Sequence, residues 1–460
     1  MAARPTSFVV FLADDHGYGD LSCMGRTDVR TPNLDALAAS GARFTDWYSN
    51  SPVCSPARAS LLTGRYPGNA GIRSILAGHR TAPGLSPDVP TIATALKAQR
   101  YRTAMFGKWH LGLAEGSRPH DHGFDEWFGF MAGWVDYYSH VWYWGQRERN
   151  TIQIHDLWEN GVEVHRDGEY MTELLTERAV DFVRRAASDE DRPFFLYVPF
   201  SAPHYPMHAP QRYLDRFPDL PDDRRIMAAM LSAMDDGVGA VREELRRHGR
   251  LDDTLIFFQS DNGPSRESCN WLDGRREPFF GGCACPLRGH KFSLFDGGIR
   301  SPALMSWPAR VPAGQVLSGI GIAMDIFPTL LNAAGGDPTG YELDGANVLP
   351  MVADGAPSPH ADSDLYWEMG RQTAVRRGRW KLVLHGQLME GADPADEVFL
   401  ADLDTDPGET INLRDRFPDV VDEMHRAGER WRHGIEERWE REWKPRRRPP
   451  ADHPVDASRM

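Results

Sequence analysis

Four short apolar runs in this chain each stop at residues able to do chemistry. Phe8 to Leu12 is followed by Asp14-Asp15, and Leu255 to Phe258 by Asp261-Asn262-Gly263, so two runs end in hard oxygen donors. Arg102 to Phe106 is followed by Lys108 and His110, and Phe194 to Phe200 runs into Ser201-Ala202-Pro203-His204, which brings cations and proton carriers. Oxygen donors without cysteine or histidine beside them suit calcium or magnesium better than zinc. Calcium tolerates the irregular geometry of loop-borne ligands, so it is the first expectation. Each piece alone also has an ordinary reading. Paired aspartates form turns and caps, Asp-Asn-Gly is a common turn, and a lysine or histidine after a strand is usually solvated or hydrogen-bonded. The recurrence of such groups at one kind of position is what argues for a shared site.

A fifth candidate stands apart. Cys54 lies just before Pro56-Ala57-Arg58-Ala59-Ser60-Leu61-Leu62, where a proline followed by good helix formers predicts a helix starting beside the cysteine. The free N–H groups and dipole of a helix start favour an anion, and Arg58, one turn in, adds a fixed positive charge. From these residues alone Cys54 reads either as a low-pKa thiolate nucleophile or as a buried cysteine before a helix.

Elements must hold these groups together. Short apolar runs alternating with helical segments predict an α/β fold with a largely parallel sheet. Thr31-Pro32-Asn33-Leu34-Asp35 opens a helix with Thr31 as cap and Gly41 as stop, and Glu173 to Ala187 and Ile226 to His248 carry apolar residues at helical spacing. Ligand sites in open α/β sheets lie beyond the carboxyl ends of strands, so the separated segments are expected to converge on one crevice.

These segments also carry a resemblance. Cys54-Ser55-Pro56-Ala57-Arg58, followed by Leu61-Leu62-Thr63-Gly64-Arg65, is similar to the signature of type I sulfatases. Asp14-Asp15-His16-Gly17-Tyr18-Gly19-Asp20, Gly107-Lys108-Trp109-His110-Leu111-Gly112, His122-Gly123-Phe124-Asp125, Ser260-Asp261-Asn262-Gly263 and Leu287-Arg288-Gly289-His290-Lys291 each resemble a block of that family, in the expected order and over nearly the whole chain. The resemblance implies the alkaline-phosphatase-like architecture: a large mixed, mostly parallel sheet flanked by helices, and a smaller carboxyl-terminal domain built on an antiparallel sheet and a helix. It implies that a formylglycine-generating maturation enzyme oxidises Cys54 to formylglycine. It also implies that calcium, or else magnesium, is held by Asp14, Asp15, Asp261, Asn262 and the matured residue 54. One hydroxyl of the hydrated aldehyde would attack sulfur, and deprotonation of the other would let the sulfated residue collapse and expel sulfate. His110 would assist that collapse, His204 and Lys291 would protonate or neutralise the leaving oxygen, and Arg58, Lys108 and Lys291 would surround the sulfate. The expected activity is hydrolysis of aryl, alkyl or carbohydrate sulfate monoesters. His290 departs from the family block, where glycine is common, and is a candidate substrate contact.

Composition bounds the remaining choices. The 460 residues exceed the usual single-domain size, and Gly355-Ala356-Pro357-Ser358-Pro359 suggests a boundary near residue 360. This gives a catalytic domain over 1–360, a small α+β domain over 361–445 and a tail over 446–460. Short strands are expected at Leu365 to Trp367, Thr373 to Arg376, Trp380 to Leu384 and Val398 to Asp402, with a closing helix from Pro418 to Trp443. A net charge of -14 argues against nucleic acid or anionic membranes as partners, so an anionic ligand requires a local cationic pocket. No apolar run approaches membrane-spanning length, and Met1 to Ser7 leaves no room for a signal peptide, so the expected location is cytoplasmic. The five cysteines suit a reducing compartment without a disulfide framework. Cys269, Cys283, Cys285 and His290 read as free loop groups in preference to a zinc site. The basic run Lys444 to Pro450 reads as a solvated end. The aromatic segment Trp134 to Trp144, with Asp136 and His140, is able to stack an aryl or sugar ring but is also ordinary core material. Two other readings stand beside the first: a phosphonate or phosphate ester hydrolase, and a non-catalytic sulfoglycan binder in which Cys54 stays a thiol.

Overall fold

The computed structural model describes residues 5–144, 152–189, 192–272 and 278–446. Its centre is a ten-stranded sheet in the order Gln315–Leu317, Ala42–Phe44, Ala303–Ser306, Thr254–Ser260, Ser7–Ala13, Phe194–Pro199, Arg102–Lys108, Glu126–Phe130, Trp158–Glu159 and Val162–Glu163. The run from Thr254–Ser260 to Glu126–Phe130 is parallel, and antiparallel strands flank it on both sides. The four strands with chemistry at their ends are therefore consecutive neighbours. Their ends are also level, since Ala13 pairs in register with Ser260 and Leu12 with Pro199.

Both faces of the sheet are buried, which explains why its strands read as continuous apolar runs. Val9, Phe11 and Ala13 point into a core shared with the helices Met171–Ala187 and Asp222–Arg247. Phe8, Val10 and Leu12 point the other way, onto Leu61 and Leu62 of the Cys54–Thr63 helix, Ile92 and Leu96 of the Ile92–Ala98 helix, and Phe327 and Leu330 of the Ile326–Ala333 helix. Each such side chain contributes about 1.5–3 kcal/mol of burial, so alternating the two sets anchors the strand from both sides.

Helix boundaries differ from expectation where polar residues begin them. The long helix starts at Asp222, not Ile226, because Pro221 precedes it and Asp222 and Asp223 oppose the positive dipole end in the first turn. The cap on the Pro32–Ala39 helix is also supplied differently. The Thr31 hydroxyl bonds with Ser22 Oγ at 2.7 Å, while Asp235 of the long helix accepts from Asn33 N at 3.1 Å and Leu34 N at 2.8 Å.

A four-stranded antiparallel sheet follows: Asp364–Met369, Gln372–Arg377, Trp380–Gly386 and Asp396–Asp402. The Pro418–Arg438 helix covers one face through Met424 against Val375, Leu382, Leu384 and Leu400, and the chain continues as a π-helical turn over Trp439–Trp443. The other face meets the main body, where Trp367 Nε1 donates to Ser49 O at 2.7 Å. Lys381 bridges Asp296 at 2.6 Å and Glu409 at 3.0 Å with all three side chains buried. Of the tail, only Arg446 lies inside the described residues. No helix among those residues is long and apolar enough to cross a membrane.

Candidate active site

The loops leaving the level strand ends are laced together before any side chain is considered. Asp14 N donates to Ala202 O at 3.1 Å and Asp261 N to Ala13 O at 3.0 Å. Asp15 and His110 both sit at positive φ, 61° and 55°, conformations that cost a non-glycine residue about 1–3 kcal/mol unless their surroundings enforce them. Here they do: Asp15 N donates to Asp261 Oδ1 at 3.2 Å, and His110 N to Met131 O at 3.2 Å.

Into this edge points the start of the Cys54–Thr63 helix. Cys54 is its first residue and is 2% exposed, Val53 before it is extended, and no side chain caps the first turn. The first-turn N–H groups therefore lack a side-chain acceptor next to Cys54. Arg58, one turn on, is fully buried and donates through Nε and Nη2 to Asp261 Oδ2 at 3.1 and 2.8 Å and through Nη1 to Lys108 O at 2.9 Å.

The remaining charges interlock. Lys108 Nζ donates to Asp14 Oδ2 at 2.6 Å, Lys291 Nζ to Asp15 Oδ2 at 2.8 Å, and Asn262 Nδ2 to Asp15 Oδ1 at 2.7 Å. Burial alone would push the Asp14 carboxyl up, but Lys108, His204 and Arg58 hold it at about 2. Asp15 is likewise lowered against burial by Lys291 and His204. Asp261 moves the other way, raised by burial and by the neighbouring Asp14 carboxylate.

Two oxygens in this network stand open. Asp14 Oδ1 and Asn262 Oδ1 are buried and accept no hydrogen bond. Asp14, Asp15, Cys54 and His204 offer ligand atoms all within 4.8 Å of one another. An unbonded carboxylate oxygen and an unbonded amide oxygen, beside the further carboxylates Asp15 and Asp261, are the hard oxygen donors a divalent cation requires, so the residues present fit such an ion.

Two histidines flank the cluster with assignable ring protons. His110 Nε2 lies 3.1 Å from Leu76 O, so Nε2 donates and Nδ1 is left as an acceptor without a partner. Burial, then Lys108 and Arg58, lower its pKa well below the ordinary histidine value, so the ring is neutral. His204 Nδ1 lies 2.7 Å from Tyr205 O, which places its proton there and turns Nε2 toward Lys291 Nζ at 3.2 Å. Burial opposes charge on Lys291, but Asp15 outweighs it and the ammonium is strongly retained.

A cleft opens outward from Asp15, lined by Tyr205, Met207, Met227, Glu267, Cys269 and Phe279 among others. Tyr205 was not singled out from sequence, although it follows His204 directly. Its ring lies against His204 at 4.2 Å between centroids and beneath Lys291 Nζ at 5.8 Å.

The three candidate substrate contacts make other partners. His290 Nε2 accepts from Arg266 Nε at 2.7 Å. Asp136 Oδ1 accepts from Tyr138 N, Ser139 N and Ser139 Oγ, which makes it a turn former, and His140 is fully buried with Nε2 3.1 Å from Glu169 O. In the aromatic segment Trp134, Tyr137 and Trp142 are buried core residues, while the Trp144 side chain lies outside the described residues. Cys283 and Cys285 are joined as a disulfide, correcting the expectation of free loop thiols there, whereas Cys23, Cys54 and Cys269 are free. With that pair bonded and His290 engaged by Arg266, the four-residue zinc set does not assemble.

The sequence of the Sulfatase family matches residues 6–336, and that described as N-sulphoglucosamine sulphohydrolase, C-terminal, matches residues 290–432. The chain is 34% identical to N-acetylgalactosamine-6-sulfatase of Homo sapiens over 370 residues, 77% of this chain and 67% of the relative. It is 33% identical to Arylsulfatase A of Bos taurus over 463 residues, 93% of this chain and 87% of the relative. Among solved structures, Ps i-CgsB in complex with k-i-k-neocarrahexaose aligns with a TM-score of 0.82 at 31% identity, covering 96% of this chain and 98% of that one. Because the Sulfatase match spans well over half of the sequence, the chain belongs to the sulfatase family of the alkaline-phosphatase-like superfamily and is a sulfuric ester hydrolase.

Proposed function

We propose that this enzyme hydrolyses carbohydrate or aryl sulfate monoesters at a formylglycine derived from Cys54, with a calcium ion beside it. The observation that carries the proposal is the convergence of Cys54 with Asp14, Asp15 and His204 inside one 4.8 Å group, walled by buried Arg58, Lys108 and Lys291. A buried thiol among so many charges has no packing role to explain it. The carbohydrate class is supported by relatives above 30% identity, one named for N-acetylgalactosamine-6-sulfate chemistry and one solved with a neocarrahexaose.

Asp14, Asp15, Asp261 and Asn262 would hold the calcium, with Asp14 Oδ1 and Asn262 Oδ1 as its open donors. When bound, the ion offsets the sulfate charge and polarises its oxygens. Residue 54, if matured to formylglycine and hydrated, would offer a nucleophilic hydroxyl and a second hydroxyl whose deprotonation would let sulfate leave.

The chain's own groups divide the remaining work. Arg58, Lys108 and Lys291 receive the sulfate oxygens, and because they are already positioned they need no rearrangement as charge develops. His110, neutral and with Nδ1 open, accepts a proton from the residue-54 hydroxyl. Lys291, its ammonium held by Asp15 and with His204 Nε2 at 3.2 Å as its partner, hydrogen-bonds the leaving oxygen and offsets the charge that develops there. Tyr205, packed against His204 in the cleft that opens from Asp15, would line the path of the leaving group.

Mass spectrometry of the Cys54 peptide from protein made in its native host, with turnover of a panel of sulfate and phosphate esters, tests the proposal. We expect formylglycine at residue 54 and a marked preference for sulfate esters. No turnover of any sulfate ester by fully modified, calcium-loaded protein would overturn it.

A further inference from the structure

A second group of ligand-type side chains meets at the edge of the large sheet, outside the cluster described above. His155, Glu163 and His165 each offer a ligand atom within 4.8 Å of the other two. His155 Nδ1 lies 3.1 Å from Glu163 Oε1, and the His155 and His165 rings face each other with centroids 4.1 Å apart. A third imidazole, the fully buried His140, stands beside them with its centroid 6.5 Å from that of His155. His155 Nε2 and His140 Nδ1 are buried and make no hydrogen bond. Unpaired imidazole nitrogens inside a fold are costly, and two of them occur next to a carboxylate and a third, exposed imidazole.

We propose that His155, Glu163 and His165 bind a divalent transition-metal cation of the zinc class, with water in the fourth position. Two imidazoles and a carboxylate form a borderline donor set that suits zinc and is a poor match for calcium. The resident cation is Arg80, which donates from Nη2 to both Glu163 oxygens at 2.7 and 2.8 Å. Its side chain is 49% exposed, held among the described residues besides Glu163 only by a long bond to His155 O at 3.5 Å and by the Trp158 ring at 5.3 Å, so a metal that takes the carboxylate displaces a half-exposed cation.

Such an ion would clip the Val162–Glu163 strand and His165 to the end of the Ile152–His155 strand. The clip adjoins the catalytic edge through Asp156, whose Oδ2 accepts from Met131 N at 3.0 Å and Ala132 N at 2.7 Å. Met131 O in turn receives the His110 N–H. The metal would therefore brace the shelf under His110 and take no part in the reaction.

The test uses the full chain dialysed against Zn2+ with excess Ca2+ to fill the strand-end site. Bound zinc is counted by mass spectrometry, and substituted Co2+ is followed by visible absorption. We expect one zinc equivalent in the parent, weakening by about tenfold or more in His165→Ala, as for loss of groups that shape a metal site. The same zinc should raise the melting temperature of the parent but not of His165→Ala. His433→Ala, exposed on the closing helix, should bind like the parent, and Arg80→Gln should bind more tightly. Because His165 is exposed, its alanine variant is expected to keep the parent's far-ultraviolet spectrum. Zinc occupancy that is nil in the parent, or equal in the parent and His165→Ala, would overturn the proposal.

Discussion

Replacing Arg58 with methionine removes the charge on which the pocket's geometry turns. The guanidinium is fully buried, gives two N–H bonds to Asp261 Oδ2 and one to Lys108 O, and stands 3.4 Å from Asp14 Oδ1. Methionine nearly matches the stem but supplies neither donor nor charge, so Asp261 keeps its burial and loses its main counter-charge. Breaking one side of a buried, hydrogen-bonded ion pair costs about 3–5 kcal/mol. Removing a donor from the transferring group costs about 100- to 1,000-fold in kcat. Arg58→Lys should lose less stability than Arg58→Met, since it restores the charge but not the fork that reaches Asp261 and Lys108 O together. Urea unfolding at fixed calcium gives the first quantity, and kcat/KM on 4-nitrophenyl sulfate gives the second. An Arg58→Met protein within about 1 kcal/mol of the parent stability, the effect of an ordinary substitution, and with unchanged kcat/KM would refute the ionic account.

Three further outcomes are expected. Chelation of divalent cations should abolish sulfate-ester turnover and calcium should restore it more fully than magnesium; unchanged turnover after exhaustive chelation would dismiss the metal. His122 is 1% exposed, and burial lowers its pKa from 6.5 to about 4. Its folded pKa is depressed, so its contribution to stability is intact above pH 6.5 and lost as pH falls toward 4, by up to about 3 kcal/mol at 1.36 kcal/mol per unit. His122→Leu should flatten that limb in a pH series of urea unfolding, and an identical pH slope would contradict the assignment. Lys381→Met should strip Asp296 and Glu409 of their shared partner and cost about 3–5 kcal/mol. If denaturation midpoints show under about 1 kcal/mol, the buried triad is not what docks the carboxyl-terminal sheet.

The positions of the groups that converge at the strand ends were legible because those groups follow local rules, while their roles came from the resemblance. A parallel strand buried on both faces is written as an apolar run, and its last residue marks where a ligand edge begins, so Asp14, Lys108, His204 and Asp261 were found from position alone. The helix at Cys54 was legible for the same reason, from a proline and the helix formers behind it. Cues that depend on a distant partner were read differently. Thr31 looked like a cap, but Asp235 supplies the cap from another helix. His140 looked available, but Glu169 O, far along the chain, takes its Nε2, while Asp136 is absorbed by its own turn.

By itself, then, the sequence determined the fold class, the chemical groups that follow the apolar runs and the helix start at Cys54, because periodicity and capping act over a few residues; the nucleophile role of Cys54 came from the resemblance. Only the tertiary structure decided which charges pair. It sets Arg58 on Asp261, Lys108 on Asp14 and Lys291 on Asp15, leaves two oxygens open, and brings His155, Glu163 and His165 together at the sheet's edge. These pairings join residues far apart in the chain, and their energies depend on a shared burial that no local stretch of sequence records.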